Sequence, residues 1–207
     1  YIMSKSLLVI LAAPSGTGKS TICKELLKRN KDWNFSVSVT TREPRDGEVD
    51  EQDYKFISNS EFEHFVKFGD FIEWEIVHGN KYGTLWQTID DALDSKKVMI
   101  LDIDVKGAMS IQEEHPEETL LIFIEPPGLN INEQKEALND RLVKRGNEQE
   151  LAIKHRLKRF ETEMEFKEKF DYHFVNENLK SKDSDKFFLK LASVAHGQTT
   201  PKQYTVS

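Results

Sequence analysis

Leu7-Leu8-Val9-Ile10-Leu11-Ala12-Ala13-Pro14-Ser15-Gly16-Thr17-Gly18-Lys19-Ser20-Thr21 is the stretch that decides the architecture of this chain. A short apolar run stops at a glycine-rich turn, and Ser20 to Arg29 has helical composition, so the segment reads as strand, loop, helix. That order implies a parallel α/β core. The loop fits the pattern GxxxxGK[ST], in which glycines let successive amides face phosphates, the lysine reaches the outer phosphates and the hydroxyl binds magnesium. Gly16, Gly18, Lys19 and Ser20 match, while Ala13 replaces the first glycine and must therefore avoid dihedrals reserved for glycine. Ala13 through Thr21 is the expected seat of a donor nucleotide's phosphates. An ordinary glycine-rich turn is the rival reading, and the strand before and helix after argue against it.

Further on, Val98 to Ile103 and Leu120 to Ile124 are continuous apolar runs, as expected of central strands covered on both faces. The first carries Asp102 near its end, a carboxylate placed to polarise a magnesium-bound water beside Lys19 and Ser20. Between Phe35 and Thr84 the texture changes to short aromatic and β-branched runs, Phe35 to Val39, Tyr54 to Ile57 and Phe71 to Val77, separated by turn-forming segments. This reads as a small mixed subdomain inserted in the core. Helical patterns follow from about Glu133 to Phe170, interrupted by Arg145-Gly146-Asn147, which suggests a helical hairpin with a mobile tip. A strand at His173 to Val175 and an amphipathic stretch from Asp185 to Ala195 close the fold, and the polar tail after His196 is expected to fray.

At 207 residues, with 38% hydrophobic and 31% charged, the chain suits one globular core with a small insert. A net charge of −7 argues against bulk binding of a nucleic-acid polymer, so arginines and lysines in loops gain weight as anion sites. No apolar run is long enough to span a bilayer. Met3 is the expected natural start, and the residues around it lack a signal-peptide layout. A lone cysteine, Cys23, gives no disulfide framework and suits a reducing cytoplasm.

A phosphate loop alone does not separate a kinase from an ATPase or a GTPase. The acceptor is named elsewhere, by Phe35-Ser36-Val37-Ser38-Val39-Thr40-Thr41-Arg42-Glu43-Pro44-Arg45-Asp46-Gly47-Glu48 with Asp53-Tyr54, by Phe71-Ile72-Glu73-Trp74, and by Gly79-Asn80-Lys81-Tyr82-Gly83-Thr84. With Ile100-Leu101-Asp102-Ile103-Asp104 and the Arg145 to Arg156 segment, these motifs resemble guanylate kinases, in order, over nearly the whole chain. The resemblance implies a P-loop nucleoside monophosphate kinase fold: core 1–34, 85–127 and 171–207, a GMP-binding subdomain 35–84, and a helical lid with its flanking helices 128–170. It implies ATP with Mg2+ as donor, GMP as acceptor with dGMP left open as a second, cytoplasmic work, and a monomer or homodimer.

Chemistry agrees with the resemblance. Two guanidinium forks, Arg42 and Arg45, with the phenols of Tyr54 and Tyr82, suit a phosphate dianion, and the family implies that these four bind the GMP phosphate. Guanine offers two adjacent donors that one carboxylate accepts together, a role the resemblance gives to Glu73, with Ser38 and Thr84 as hydroxyl contacts and Asp104 on the same edge. Ser20 and, through water, Asp102 match the metal positions; Lys19, Arg42, Arg145 and Arg156 match the catalytic cations, and Asn176 a position near the donor adenine. Arg141 is a further candidate, behind a link, Gly128 to Lys135, longer than expected of the family. Two rivals remain: a non-catalytic module that binds a phosphorylated peptide, opposed by the intact donor residues, and a kinase for another monophosphate, opposed by Glu73 with Ser38.

Overall fold

Strand β1 (Leu8–Ala12) is buried along its whole length, which its unbroken apolar sequence requires once both faces of the sheet are covered. In the computed structural model, residues 7–14, 16–77, 79–145, 150–177, 182–195 and 204–206 are described. From β1 the chain turns into α1 (Lys19–Arg29) and returns as β2 (Asn34–Phe35). Next come β3 (Val39–Thr40), β4 (Lys55–Phe56), α2 (Asn59–Phe68), β5 (Phe71–Val77), β6 (Asn80–Leu85) and α3 (Trp86–Ser95). The core resumes with β7 (Met99–Asp102), α4 (Val105–Glu114) and β8 (Thr119–Glu125), followed by the helical pair α5 (Ile131–Arg145) and α6 (Glu150–Met164). A 3-10 turn at Lys167–Lys169, β9 (Tyr172–Val175), α7 (Lys182–Ala195) and β10 (Tyr204–Val206) complete it.

The main sheet is parallel throughout, in the order β10-β9-β8-β1-β7-β2. Because side chains alternate across a strand, Val9 and Leu11 pack on one face against Ile22 and Leu26 of α1 and Phe187, Phe188 and Leu191 of α7. Leu8, Ile10 and Ala12 pack on the other, against Ile89 of α3 and Ala108 and Ile111 of α4. Helices on both faces make this the expected α/β core. No helix among the described residues is long and apolar enough to cross a membrane.

A second sheet, in the order β4-β3-β6-β5, is mixed: β3 runs parallel to β4 and antiparallel to β6, which pairs antiparallel with β5. Phe35 sits in the main sheet, opposite Ile100, so the expected single run from Phe35 to Val39 divides between the two sheets. Under the second sheet lies α2, opened by a full capping box between Ser58 and Glu61, with Phe62 wholly buried and its ring 4.5 Å from that of Phe71.

Two expectations need correction. Ile131 to Lys135, counted above as linker, is the first turn of α5: Asn130 Oδ1 accepts from the amides of Asn132 and Glu133, satisfying donors that a helix start leaves open. The tail was expected to fray, yet Tyr204–Val206 pairs in parallel with β9. The hairpin tip at Gly146 and Asn147 lies outside the described residues.

Phe62→Ala removes the centre of the cluster that joins α2 to the second sheet, and the expected loss is about 3–5 kcal/mol in urea unfolding. A loss below about 1 kcal/mol would mean that this cluster carries little of the fold's stability.

Candidate functional site

Parallel pairing sets Leu11 of β1 beside Asp102 of β7, so the loop after β1 and the carboxylate ending β7 meet at one edge of the sheet. There Lys19 Nζ lies 2.8 Å from Asp102 Oδ1 and donates to the carbonyl of Ile103 at 2.8 Å. Ser20 Oγ donates to Asp102 Oδ2 at 3.0 Å. Burial works against the charge on Lys19, but the adjoining Asp102 carboxylate outweighs it and holds the ammonium pKa above its ordinary value. Gly18 precedes α1 with φ of +91°, and a Cβ there would stand 2.5 Å from Asn176 Nδ2, so the position needs glycine both for its backbone and for its space. Ala13 is buried and is not among the left-handed residues, as its place in the loop required. Pro14, Gly16, Thr17 and Thr21 complete the loop, the hydroxyl of Thr17 donating to the carbonyl of Pro14, while Ser15 lies outside the described residues.

From this loop a cleft of about 440 Å³ runs to the second sheet. Lys19, Asp102, Asp104, Ser38, Arg42, Arg45, Tyr54, Glu73 and Tyr82 all line it. Arg42 reaches Glu48 Oε1 at 2.8 Å, donates to the carbonyl of Glu43 and stacks 5.4 Å from the ring centre of Tyr54 and 5.6 Å from that of Phe56. Glu48 also accepts from the backbone amide of Arg45 at 2.7 Å, so one carboxylate holds the Arg42 fork and the main chain of the turn that carries Arg45. The rings of Tyr54 and Tyr82 meet edge to face at 5.9 Å.

Antiparallel register makes Glu73 and Thr84 direct partners, and Thr84 Oγ1 donates to Glu73 Oε1 at 2.7 Å. Thr84 is itself buried and reaches the cleft through Glu73. Asp104 caps α4 by accepting from the amide of Gly107 at 2.8 Å. Gly107 is needed for close approach, because a Cβ there would lie 2.8 Å from Glu73 Cγ. Burial pushes the Glu73 carboxyl up to about 7; the Thr84 hydrogen bond opposes the shift, and the nearby carboxylates of Asp104 and Glu75 add to it.

On the other side of the loop, Gly16, Thr17, Gly18, Arg141, Lys144 and Asn176 line a second, more open cleft. Asn176 Nδ2 donates to the carbonyl of Thr17 at 2.6 Å, and Arg141 donates to the carbonyls of Thr17 and Asn176 at 3.2 and 2.6 Å. Arg141 is thus brought onto the phosphate loop. Arg156 is half-buried on α6 and lines neither cleft, and Arg145 ends α5 with its side chain outside the described residues. Glu48, Gly107 and Lys144 were not singled out from sequence; the signal for Lys144 was its spacing from Arg141, one turn on along the same helix.

A phosphate loop at the carboxyl ends of a parallel sheet, with a nucleotide-sized cleft closed by an inserted sheet and a helical pair above, defines the P-loop nucleoside monophosphate kinase class. The family model for guanylate kinase matches residues 5–189. The guanylate kinase of Clostridium tetani is 43% identical over 177 residues, covering 86% of this chain and 81% of the relative. That of Chlorobium chlorochromatii is 44% identical over 172 residues, covering 83% and 87%. The crystal structure of guanylate kinase from Anaplasma phagocytophilum superposes with a TM-score of 0.65 at 29% identity, covering 97% of this chain and 90% of that one. The chain belongs to the guanylate kinase family.

The raised Glu73 pKa has a sign that can be measured. The folded chain holds the Glu73 proton more tightly than the unfolded chain, whose pKa is near 4.5, so its contribution to stability is present below that pH and lost as pH rises through about 7. Glu73→Gln removes the cost of a buried charge and is expected to be more stable than the parent at pH 8, by on the order of 1–3 kcal/mol, with the gap closing toward pH 4.5. Urea unfolding across this range checks it; a gap that does not vary with pH would assign Glu73 an ordinary pKa.

Proposed function

We propose that this chain transfers the γ-phosphoryl group of ATP to GMP, giving ADP and GDP. The observation that carries the reading is Glu73: a desolvated carboxylate, fixed by Thr84, in the same cleft as Arg42, Arg45, Tyr54 and Tyr82 and opposite Lys19. A buried carboxylate is costly unless a ligand supplies donors, and the N1–H and exocyclic amine of guanine supply two side by side. Adenine lacks that pair and would leave the carboxylate unpaired, a loss that discriminates by about four orders of magnitude. Ser38, Thr84 and Asp104 are assigned to the base edge, and Arg42, Arg45, Tyr54 and Tyr82 to the acceptor phosphate.

The donor is assigned to Ala13 through Thr21 with Asn176. Ser20 and Asp102 offer only oxygen ligands, a hydroxyl and a carboxylate 3.0 Å apart at the start of α1, which suits Mg2+ and its reluctance to shed all of its water. In this reading Ser20 holds the ion directly and Asp102 through water, and the bound ion supplies neutralisation of the outer phosphate charge. Lys19 leaves Asp102 for the outer phosphates, and the lid arginines Arg145 and Arg156, with Arg141 beside the loop, stabilise charge on the transferring group. No side-chain base is required, because the acceptor phosphate is already ionised. Closing the lid excludes water that would otherwise accept the phosphoryl group. The reading assigns this work to the cytoplasm, which the buried, unpaired thiol of Cys23 suits.

Release of ADP with ATP and Mg2+ against GMP, dGMP, AMP, UMP and dTMP tests the reading. Turnover with GMP and dGMP, and little with the rest, is expected; turnover of AMP but not GMP would defeat the base assignment. Since guanine needs the ionised carboxylate, KM for GMP should rise as pH falls below about 7, and Glu73→Gln should abolish that rise along with the preference for GMP over AMP.

A further inference from the structure

Glu125 ends β8 and is 1% exposed, a carboxylate buried away from both clefts. Its oxygen Oε2 accepts from Gln134 Nε2 at 3.1 Å and from Lys167 Nζ at 2.9 Å. His173 Nδ1 stands 3.5 Å from the other oxygen, an electrostatic contact short of a full hydrogen bond. Burial alone would raise the Glu125 pKa, but His173, Lys167 and Gln134 outweigh it and keep the group a carboxylate. Its partners stand at the two roots of the helical pair: Gln134 in the first turn of α5, Lys167 three residues beyond the end of α6. Seven residues past Gln134, and so on the same face of α5, Arg141 bonds to the phosphate loop, while Leu138 lies between them against Gly16. The backbone carbonyl of Glu125 also accepts from the amide of Asn176, whose side chain holds Thr17.

We propose that Glu125 is a positioning residue: by tying the first turn of α5 and the turn after α6 to the carboxyl end of β8, it sets where both lid helices stand over the phosphate loop. The acceptor cleft lies on other elements, so the effect belongs to the chemical step and not to GMP binding. This rests on the phosphotransfer reading above.

The test compares Glu125→Gln with the double variant Glu125→Gln/Lys167→Met. The single variant strands a partly buried ammonium and is expected to melt at a lower temperature, with kcat reduced at least about tenfold at 25 °C and KM for GMP within about twofold of the parent. The double variant removes the stranded charge, and should recover the melting temperature while kcat stays low, because the end of α6 is still untied. Recovery of kcat together with melting temperature would reduce Glu125 to a stabilising role and overturn the proposal, as would an unchanged kcat in the single variant. Absence of ATP:GMP turnover in the parent chain would defeat the phosphotransfer reading itself, and the proposal with it.

Discussion

The ion pair between Lys19 and Asp102 is the contact on which the rest of the molecule depends. It exists because β1 and β7 are parallel neighbours, so that a loop leaving one strand and a carboxylate ending the other arrive at the same sheet edge. Parallel pairing in turn requires crossover connections, and the helices that supply them, α1 and α7 on one face and α3 and α4 on the other, bury the two halves of the core. Asp102 satisfies both the ammonium of Lys19 and the hydroxyl of Ser20. These groups are held in place by partners that phosphate oxygens and a hard cation can take over, which is preorganisation without an unpaired charge.

The cleft beneath the second sheet follows a different rule. Arg42 is held by Glu48 and by the rings of Tyr54 and Phe56, so its fork is already aimed. Glu73, by contrast, is placed where ionisation is unfavourable, between burial and the neighbouring charges of Asp104 and Glu75. Gly107 allows α4 to come close against the Glu73 side chain, and Asp104 anchors the same turn by capping it. A carboxylate under this tension gains more from a ligand with two adjacent donors than an exposed one would.

Much of this was legible in the sequence because the phosphate loop and the apolar runs at Val98 and Leu120 are local signals with one good structural solution. The helices α2, α3 and α4 were not read from it, although the Ser58 to Glu61 capping box announces α2; the aromatic texture around them drew attention to strands. The division of Phe35 from Val39 between two sheets could not be read locally, since a two-residue strand takes its identity from its partner. Likewise the sequence does not say which way Arg141 faces, and the bonds from its guanidinium to the carbonyls of Thr17 and Asn176 are what place it on the loop. Glu125 and His173 lie 48 positions apart, and only the pairing of β8 with β9 brings them together.

Carbon-13 carboxyl labelling of glutamate followed by NMR tests the proposal that Glu73 is the desolvated carboxylate that pairs with guanine. The Glu73 signal is expected to titrate near 7 in the free chain and to stay ionised well below that pH once GMP is bound, with AMP producing no such change. A signal titrating near 4.5 in the free chain, or one that GMP leaves untouched, would contradict it.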